Sequence, residues 1–146
     1  MGSRTKARVR ALQVLYAWDM RGGAEPLRIV DRESIESADS PTAADVQEYT
    51  DLLLDCLERH RPDVDARIEA LAENWRLSRM TAVDRNILRI AAAEMVHVED
   101  VPLRVSVHEA IRLAEWFGSG ESARFVNGVL DALLRELETE QLPDAR

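Results

Sequence analysis

The chain has 146 residues, 46% of them hydrophobic, 32% charged and 5% aromatic, and it carries a formal net charge of −8. This length and balance exclude a disordered or low-complexity chain and favour one folded domain with a buried core. The single cysteine, Cys56, excludes an internal disulfide. Because no apolar run reaches the length of a membrane span, and the N-terminus is charged where a signal peptide is apolar, we expect a cytoplasmic protein with no membrane segment.

Helical periodicity extends over nearly the whole chain. The first predicted helix covers residues 5–20 and ends at a Gly-Gly pair. A short helix over residues 26–37 follows. It leads into a loop in which Ser40 is the predicted N-cap of a third helix that begins at Pro41.

Proline marks the predicted boundaries of the later helices. Pro62 is expected to end the third helix and to begin a fourth, in which Trp75 faces the core. Thr81 is the predicted cap of a fifth helix, and Pro102 separates it from a sixth helix over residues 103–117.

A last helix is predicted to begin near Glu121 and to carry an apolar stripe. The sequence therefore predicts an all-α fold, with a single compact domain of six or seven helices over residues 1–138. Residues 139–146 are expected to form a frayed tail.

No arrangement of residues typical of catalysis or of metal binding is visible. The three histidines, His60, His97 and His108, lack the spacing of a common zinc site. The GSG segment at 118–120 lacks the lysine of a phosphate-binding loop. Cys56 lies on an apolar helix face, which favours packing over nucleophilic attack. We therefore expect no cofactor, no metal and no enzymatic activity.

The N-terminal segment is basic although the chain is acidic. Arg4, Lys6, Arg8 and Arg10 place four cations within seven residues. Cations at a helix start oppose the helix macrodipole, so helix stability does not explain them, whereas contact with phosphates does. The alternative is an ordinary solvated polar face.

Residues 117–128, FGSGESARFVNG, contain the only two phenylalanines of the chain, Phe117 and Phe125, on either side of a glycine-rich turn. Exposed rings beside the cation of Arg124 could stack single-stranded bases. In the alternative interpretation both rings anchor the turn in the core, and the apolar periodicity favours this for Phe125.

Four segments, taken together, resemble successive signatures of the NusB family of bacterial transcription antitermination factors: ALQVLYAWDM, MTAVDRNILRIAAAEM, DVPLRVSVHEAIRLAEWFG and SARFVNGVLDALL. The resemblance covers nearly the whole chain in order and is weakest over residues 22–45. It implies two small helical bundles packed across one another and no catalysis. It also implies binding of the boxA element of nascent RNA as a single strand. The implied partner is a small-subunit ribosomal protein, NusE, and the pair would join an antitermination complex on RNA polymerase that supports rRNA transcription.

By position, the resemblance also implies candidate site residues. Those implied to bind RNA are Arg4, Lys6, Arg8, Arg10, Phe117, Gly118, Glu121, Ser122, Arg124 and Phe125. Those implied to face the protein partner are Tyr16 and Asp84, and Asp84 could also act at its helix start. Because Glu121 places an anion in the turn, we expect it to restrain RNA affinity.

Two other functions fit the same residues. NusB-like domains also occur fused to rRNA cytosine methyltransferases as their RNA-binding part, and the chain could be such a module standing alone. It could instead be a helical adaptor or a homodimer whose basic helix is buried at a protein interface. Salt-dependent RNA affinity would distinguish an RNA-binding protein from an adaptor.

Overall fold

The computed structural model describes residues 1–36 and 41–141, and within these ranges the regular structure is helical, without a strand. The helices there are α1 (Ser3–Met20), α2 (Leu27–Glu36), α3 (Ala44–Leu71), α4 (Ala82–His97), α5 (Leu103–Phe117) and α6 (Ser122–Gln141). A short 3₁₀ turn, Leu77–Arg79, precedes α4. The all-α prediction is confirmed. Of the predicted frayed tail, residues 139–141 belong to α6, and residues 142–146 lie outside the described residues.

Helix α4 is the centre of the fold. Helices α1, α2 and α3 pack on one another, α5 packs on α6, and α4 contacts α1, α3, α5 and α6. Residues 86–95 of α4 are buried on every side. Enclosure by neighbouring helices therefore buries the polar positions of α4 as well as its apolar ones.

Helix α3 continues through Pro62, so the predicted break at this proline is wrong. Proline has no N–H to donate to the carbonyl of Glu58, four residues earlier. Both Pro62 and Glu58 are exposed, so water can satisfy that carbonyl. Leu57 and Val64 are buried on either side of the proline, and their packing stabilises α3 as one continuous helix.

Helix α3 begins at Ala44, so the prediction that it begins at Pro41 is also wrong. Val46 is its first buried side chain, and no packing would stabilise an earlier turn of helix. Asp45 lies in the first turn, where a carboxylate is favourable to the helix dipole, and it accepts a hydrogen bond from Ser3 of α1. The predicted cap, Ser40, lies outside the described residues.

Candidate nucleic-acid interface

Arg8 is buried in the core, where it neutralises two carboxylates. Its Nε donates to Glu94 Oε2 at 2.9 Å, and its Nη1 donates to Glu109 Oε1 at 2.7 Å. The hydroxyl groups of Tyr49 and Ser106 also donate to Glu94, each at 2.5 Å. Burial and the contact with Glu94 raise the pKa of Tyr49, which keeps its hydroxyl a donor. With its guanidinium committed in this way, Arg8 is not placed to meet a phosphate.

The other cations of α1 differ in their access to solvent. Arg10 bonds to Asp31 of α2 at 2.8 Å, and its side chain is only 13% exposed. Arg4 bonds to Asp100 at 2.8 Å, and this hydrogen bond lowers the pKa of Asp100. Both groups of the Arg4 pair are largely in solvent. Lys6 is exposed and makes no ion pair within the described ranges. Only Arg4 and Lys6 of the predicted phosphate contacts in α1 can therefore reach a ligand.

Ser122 and Gly118 hold the shape of the turn between α5 and α6. The N–H of Ser119 donates to Ser122 Oγ at 2.9 Å, and the Ser122 side chain is buried. A Cβ at position 118 would lie 2.4 Å from the Ser122 side chain and 2.7 Å from the carbonyl oxygen of Ala114, so only glycine fits there. Both residues therefore contribute by shaping the turn.

The two phenylalanines lie in different environments. Phe117 is 44% exposed at the end of α5. Phe125 is partly buried, and its ring lies edge-on to Trp75 with 6.1 Å between the centroids. The prediction that Trp75 faces the core is wrong, since this ring is 52% exposed. The prediction assumed that the helix continues as far as Trp75. Because α3 ends at Leu71, its helical periodicity does not determine which way Trp75 points.

The Trp75 and Phe125 rings border a groove of about 510 Å³ between the connection that precedes α4 and the start of α6. Its lining residues are Trp75, Arg79, Met80, Thr81, Asp84, Glu121, Arg124 and Phe125. We call it the α4–α6 groove. The two arginines are exposed and make no ion pair within the part of the chain that the structure describes. The groove thus combines aromatic faces with two free cations.

Asp84 is the group in this groove whose hydrogen bonding is incomplete. Its backbone N–H donates to Thr81 Oγ1 at 3.1 Å, which confirms Thr81 as the cap of α4. Its side chain is buried, and Oδ1 has no hydrogen-bond partner within residues 1–36 and 41–141. Such an oxygen costs about 1–3 kcal/mol when left unsatisfied.

Tyr16 is exposed on α1, with 44% of its surface in solvent. One turn later, Asp19 accepts a hydrogen bond of 2.6 Å from Arg85 of α4. Burial opposes ionisation of Asp19, but the bonds from Arg85 and Asn86 outweigh it and lower its pKa. Because Arg85 follows Asp84 in the chain, this contact brings the end of α1 that carries Tyr16 to the start of α4.

Comparison with known proteins identifies the family. The NusB family profile matches residues 5–135. The chain belongs to the NusB family. The transcription antitermination protein NusB of Acidothermus cellulolyticus is 46% identical over 133 residues, which cover 91% of this chain and 88% of that protein. The protein of the same name from Solibacter usitatus is 41% identical over 146 residues, covering 100% of this chain and 98% of that one.

A solved structure shares the NusB fold. A chain in the crystal structure of antitermination factors NusB and NusE in complex with dsRNA is 30% identical to this chain and superposes with a TM-score of 0.82. The alignment covers 93% of this chain and 98% of that one. The NusB family consists of transcription antitermination factors and not of enzymes, which confirms the non-enzymatic prediction. No helix in the described ranges is long and apolar enough to cross a membrane.

The groove of this NusB chain contains residues that sequence reasoning did not select, namely Trp75, Arg79 and Met80. A signal was present, because WRLSRM at 75–80 places an aromatic ring and two arginines in a short connection between helices. From the sequence, Asp84 was predicted to face the protein partner and Phe125 to bind RNA. The packing of α4 on α6 places both in one groove.

Proposed function

We propose that this NusB-family chain binds single-stranded boxA-type RNA together with the ribosomal protein NusE, within an antitermination complex on RNA polymerase that supports rRNA transcription. One observation carries the proposal. The edge-on pair of Trp75 and Phe125 borders a groove whose arginines, Arg79 and Arg124, have no carboxylate partner among the residues that the structure describes. Aromatic faces for bases and free cations for phosphates are the two requirements of a single-strand RNA site.

The proposed RNA contacts are concentrated at the α5–α6 turn. Phe117 offers an exposed ring, Phe125 offers a partly buried ring held by packing, and Arg124 offers a charge between them in the chain. Gly118 and Ser122 set the geometry of the turn. We expect exposed Glu121 to limit the affinity, because it repels phosphate.

Helix α1 contributes less to the proposed RNA surface than its sequence indicates. Lys6 is free, and Arg4 can exchange its exposed carboxylate partner for a phosphate at little cost. Arg8 and Arg10 are excluded from the proposed contacts, because breaking their internal ion pairs would leave buried carboxylates without a compensating positive charge.

Tyr16 and Asp84 are the proposed contacts for NusE. The carboxylate of Asp84 lines the groove and would pair its charge with a lysine or arginine of a basic ribosomal protein. Exposed Tyr16 would add an aromatic contact at the same end of the molecule. The net charge of −8 favours encounter with a cationic partner.

Fluorescence anisotropy with three labelled RNAs tests the proposal. The RNAs are a boxA-like single strand, a scrambled strand of equal composition and a duplex, each measured at two salt concentrations with and without NusE. We expect preference for the boxA-like strand, tighter binding with NusE and weaker binding at higher salt, because phosphate contacts release counterions. Equal or tighter binding of the duplex would contradict recognition of a single strand.

A charge-matched pair of variants tests the location of the site. Arg124→Gln should make the dependence of log affinity on log salt shallower by about 0.7, the value for one phosphate contact on a single strand. Arg135→Gln removes the same charge from the same helix about three turns away, and we expect it to leave the slope unchanged. Identical slopes for the two variants would exclude the turn as the RNA contact.

Two outcomes would contradict the proposal and favour one of the alternative functions. If both single strands bind equally weakly with and without NusE, and sedimentation gives a dimer mass, the adaptor or homodimer alternative is favoured. If the chain binds rRNA fragments without any preference for boxA, the alternative of a methyltransferase-type RNA module is favoured.

A further inference from the structure

We infer that Arg112 and Trp116 of α5 form a stacking site for one further unpaired RNA base beside the α5–α6 turn. The inference rests on the proposed function, because it extends the RNA path from Phe117 along α5. Neither residue belongs to the site derived above from the sequence or from the groove.

The geometry is that of a continuous aromatic and cationic surface. Trp116 is 44% exposed, which is a large apolar area for a side chain of this size to leave in water. The guanidinium carbon of Arg112 lies 4.9 Å from the centroid of the Trp116 ring. The rings of Trp116 and Phe117 are edge-to-face, with 6.4 Å between centroids and an interplanar angle of 85°. The surface therefore continues directly from the turn.

The position of Arg112 is fixed by a chain of hydrogen bonds that begins in the core. Arg112 Nη1 donates to Glu109 Oε2 at 3.0 Å, and Glu109 Oε1 accepts from buried Arg8 at 2.7 Å. One edge of the guanidinium is thus held while its side chain stays 48% exposed. Because Arg112 is already held in place, less side-chain entropy would be lost when its guanidinium binds the phosphate beside a base that stacks on Trp116.

A nucleobase fits this surface better than a protein side chain does. An exposed tryptophan beside an arginine presents a π-face for stacking and a charge for the adjoining phosphate, which is the combination used to bind single strands. The carboxylate of Glu109 pairs with both Arg8 and Arg112. It therefore neutralises the charge of Arg112 only in part, and Arg112 can also bind a phosphate. The surface also joins Phe117, which the proposed RNA path already includes.

Abasic scanning of the RNA provides the test. Each nucleotide of the boxA-like strand, including two flanking nucleotides on either side, is replaced in turn by an abasic one. Affinities are measured by anisotropy, with NusE present, for the wild type and for Trp116→Ala. We expect Trp116→Ala to bind the intact strand about tenfold more weakly, the loss of one stacked base. At one position the abasic RNA should weaken binding to the wild type but not to Trp116→Ala.

Two further variants separate stacking from other causes. Trp116→Phe should retain most of the affinity, because a ring face remains. Val105→Ala alters a side chain on the same helix that is 43% exposed, and it should bind as the wild type does. Unchanged melting temperatures would show that all the variants fold.

The possible failures are distinguishable. If the wild type shows no salt-dependent preference for the boxA-like strand, the proposed function fails and the inference fails with it. If the wild type shows that preference but no abasic position couples to Trp116, the proposed function stands and the inference alone is wrong. Equal losses for Trp116→Phe and Trp116→Ala would also overturn stacking.

Discussion

Arg8 of α1 and Glu94 of α4 form an ion pair that is almost completely buried, with side chains 5% and 1% exposed. Arg8 Nη2 also donates to Glu94 Oε1 at 3.1 Å, so the guanidinium binds both carboxylate oxygens. Two charges taken out of water are tolerated only with such complete hydrogen bonding. The pair joins the outer helix α1 to the central helix α4, which makes Arg8 a residue of the core.

We predict that Arg8→Ala lowers the free energy of unfolding by about 3–5 kcal/mol, because it leaves Glu94 as an uncompensated buried charge. Chemical denaturation monitored by circular dichroism measures the loss. Lys6→Ala is the control, since it removes a cation from the same helix that is exposed and makes no ion pair within the described ranges, and it should have little effect on stability. Arg8→Ala with wild-type stability and weakened RNA binding would instead support the phosphate contact implied by the resemblance.

Gly118 and Gly120 provide a second matched pair, two positions apart in the α5–α6 turn. Gly118→Ala should lower the free energy of unfolding by about 1–3 kcal/mol, because the new Cβ meets the Ser122 side chain and the backbone of Ala114. Gly120→Ala should not, because nothing lies within 4 Å of its added Cβ. Denaturant titrations of both variants measure the difference, and equal stabilities would contradict the packing role of Gly118.

The fold was predictable because helical periodicity is a local property of the sequence. The wrong predictions came from applying sequence rules for single helices at positions where tertiary packing decides the structure. Pro62 was expected to end a helix, but it is exposed while buried residues on either side hold one continuous helix. Trp75 was expected to be buried, but the helix whose periodicity predicted its orientation ends before it.

The candidate site was only partly predictable, because charge pairing depends on contacts between distant residues. Arg10 and Arg8 were predicted to contact phosphate from their positions in a basic segment. Their partners, Asp31 and Glu109, lie 21 and 101 residues away in the chain, and no local pattern reveals such pairing. The α5–α6 turn could be selected as a candidate RNA contact because its residues are adjacent in sequence. The groove was missed because its walls come from separate segments.

Substitutions at Thr81 and Asp84 separate two effects, the stabilisation by the cap of α4 and the proposed binding of NusE by the Asp84 carboxylate. Thr81→Ala removes the acceptor for the N–H of Asp84 and should lower the free energy of unfolding by about 1 kcal/mol. Thr81→Ser, which keeps the hydroxyl, should restore most of it. Thermal melting of the two variants measures this contribution.

Asp84→Asn should preserve the cap, because Thr81 bonds to the backbone of residue 84 and not to its side chain. It also removes a buried charge whose Oδ1 has no partner in the described part of the chain, so stability should not fall. We expect its affinity for NusE to decrease in an isothermal titration, while its affinity for RNA alone stays unchanged or rises. Wild-type affinity for NusE would contradict the proposed contact.

His97 of α4 and His60 of α3 stack face to face, with 3.9 Å between ring centroids and an interplanar angle of 13°. Partial loss of solvent, with the nearby charges of His60 and Arg67, lowers the pKa of His97 although the residue remains exposed, and Asp63 opposes the shift without reversing it. The folded protein therefore takes up this proton at a lower pH than the unfolded chain does.

The contribution of His97 to stability should be complete above the unfolded histidine pKa of about 6.5 and should be lost as the pH falls from there towards the folded pKa. The reason is that the unfolded chain binds more protons in this interval. His97→Gln removes the titrating ring, so its free energy of unfolding should depend less on pH between about 7 and 5. Urea denaturation at a series of pH values measures the slope, with His108→Gln, on exposed α5 surface, as the control. A slope for His97→Gln equal to that of the wild type would show that the stacked pair does not bias protonation towards the unfolded chain.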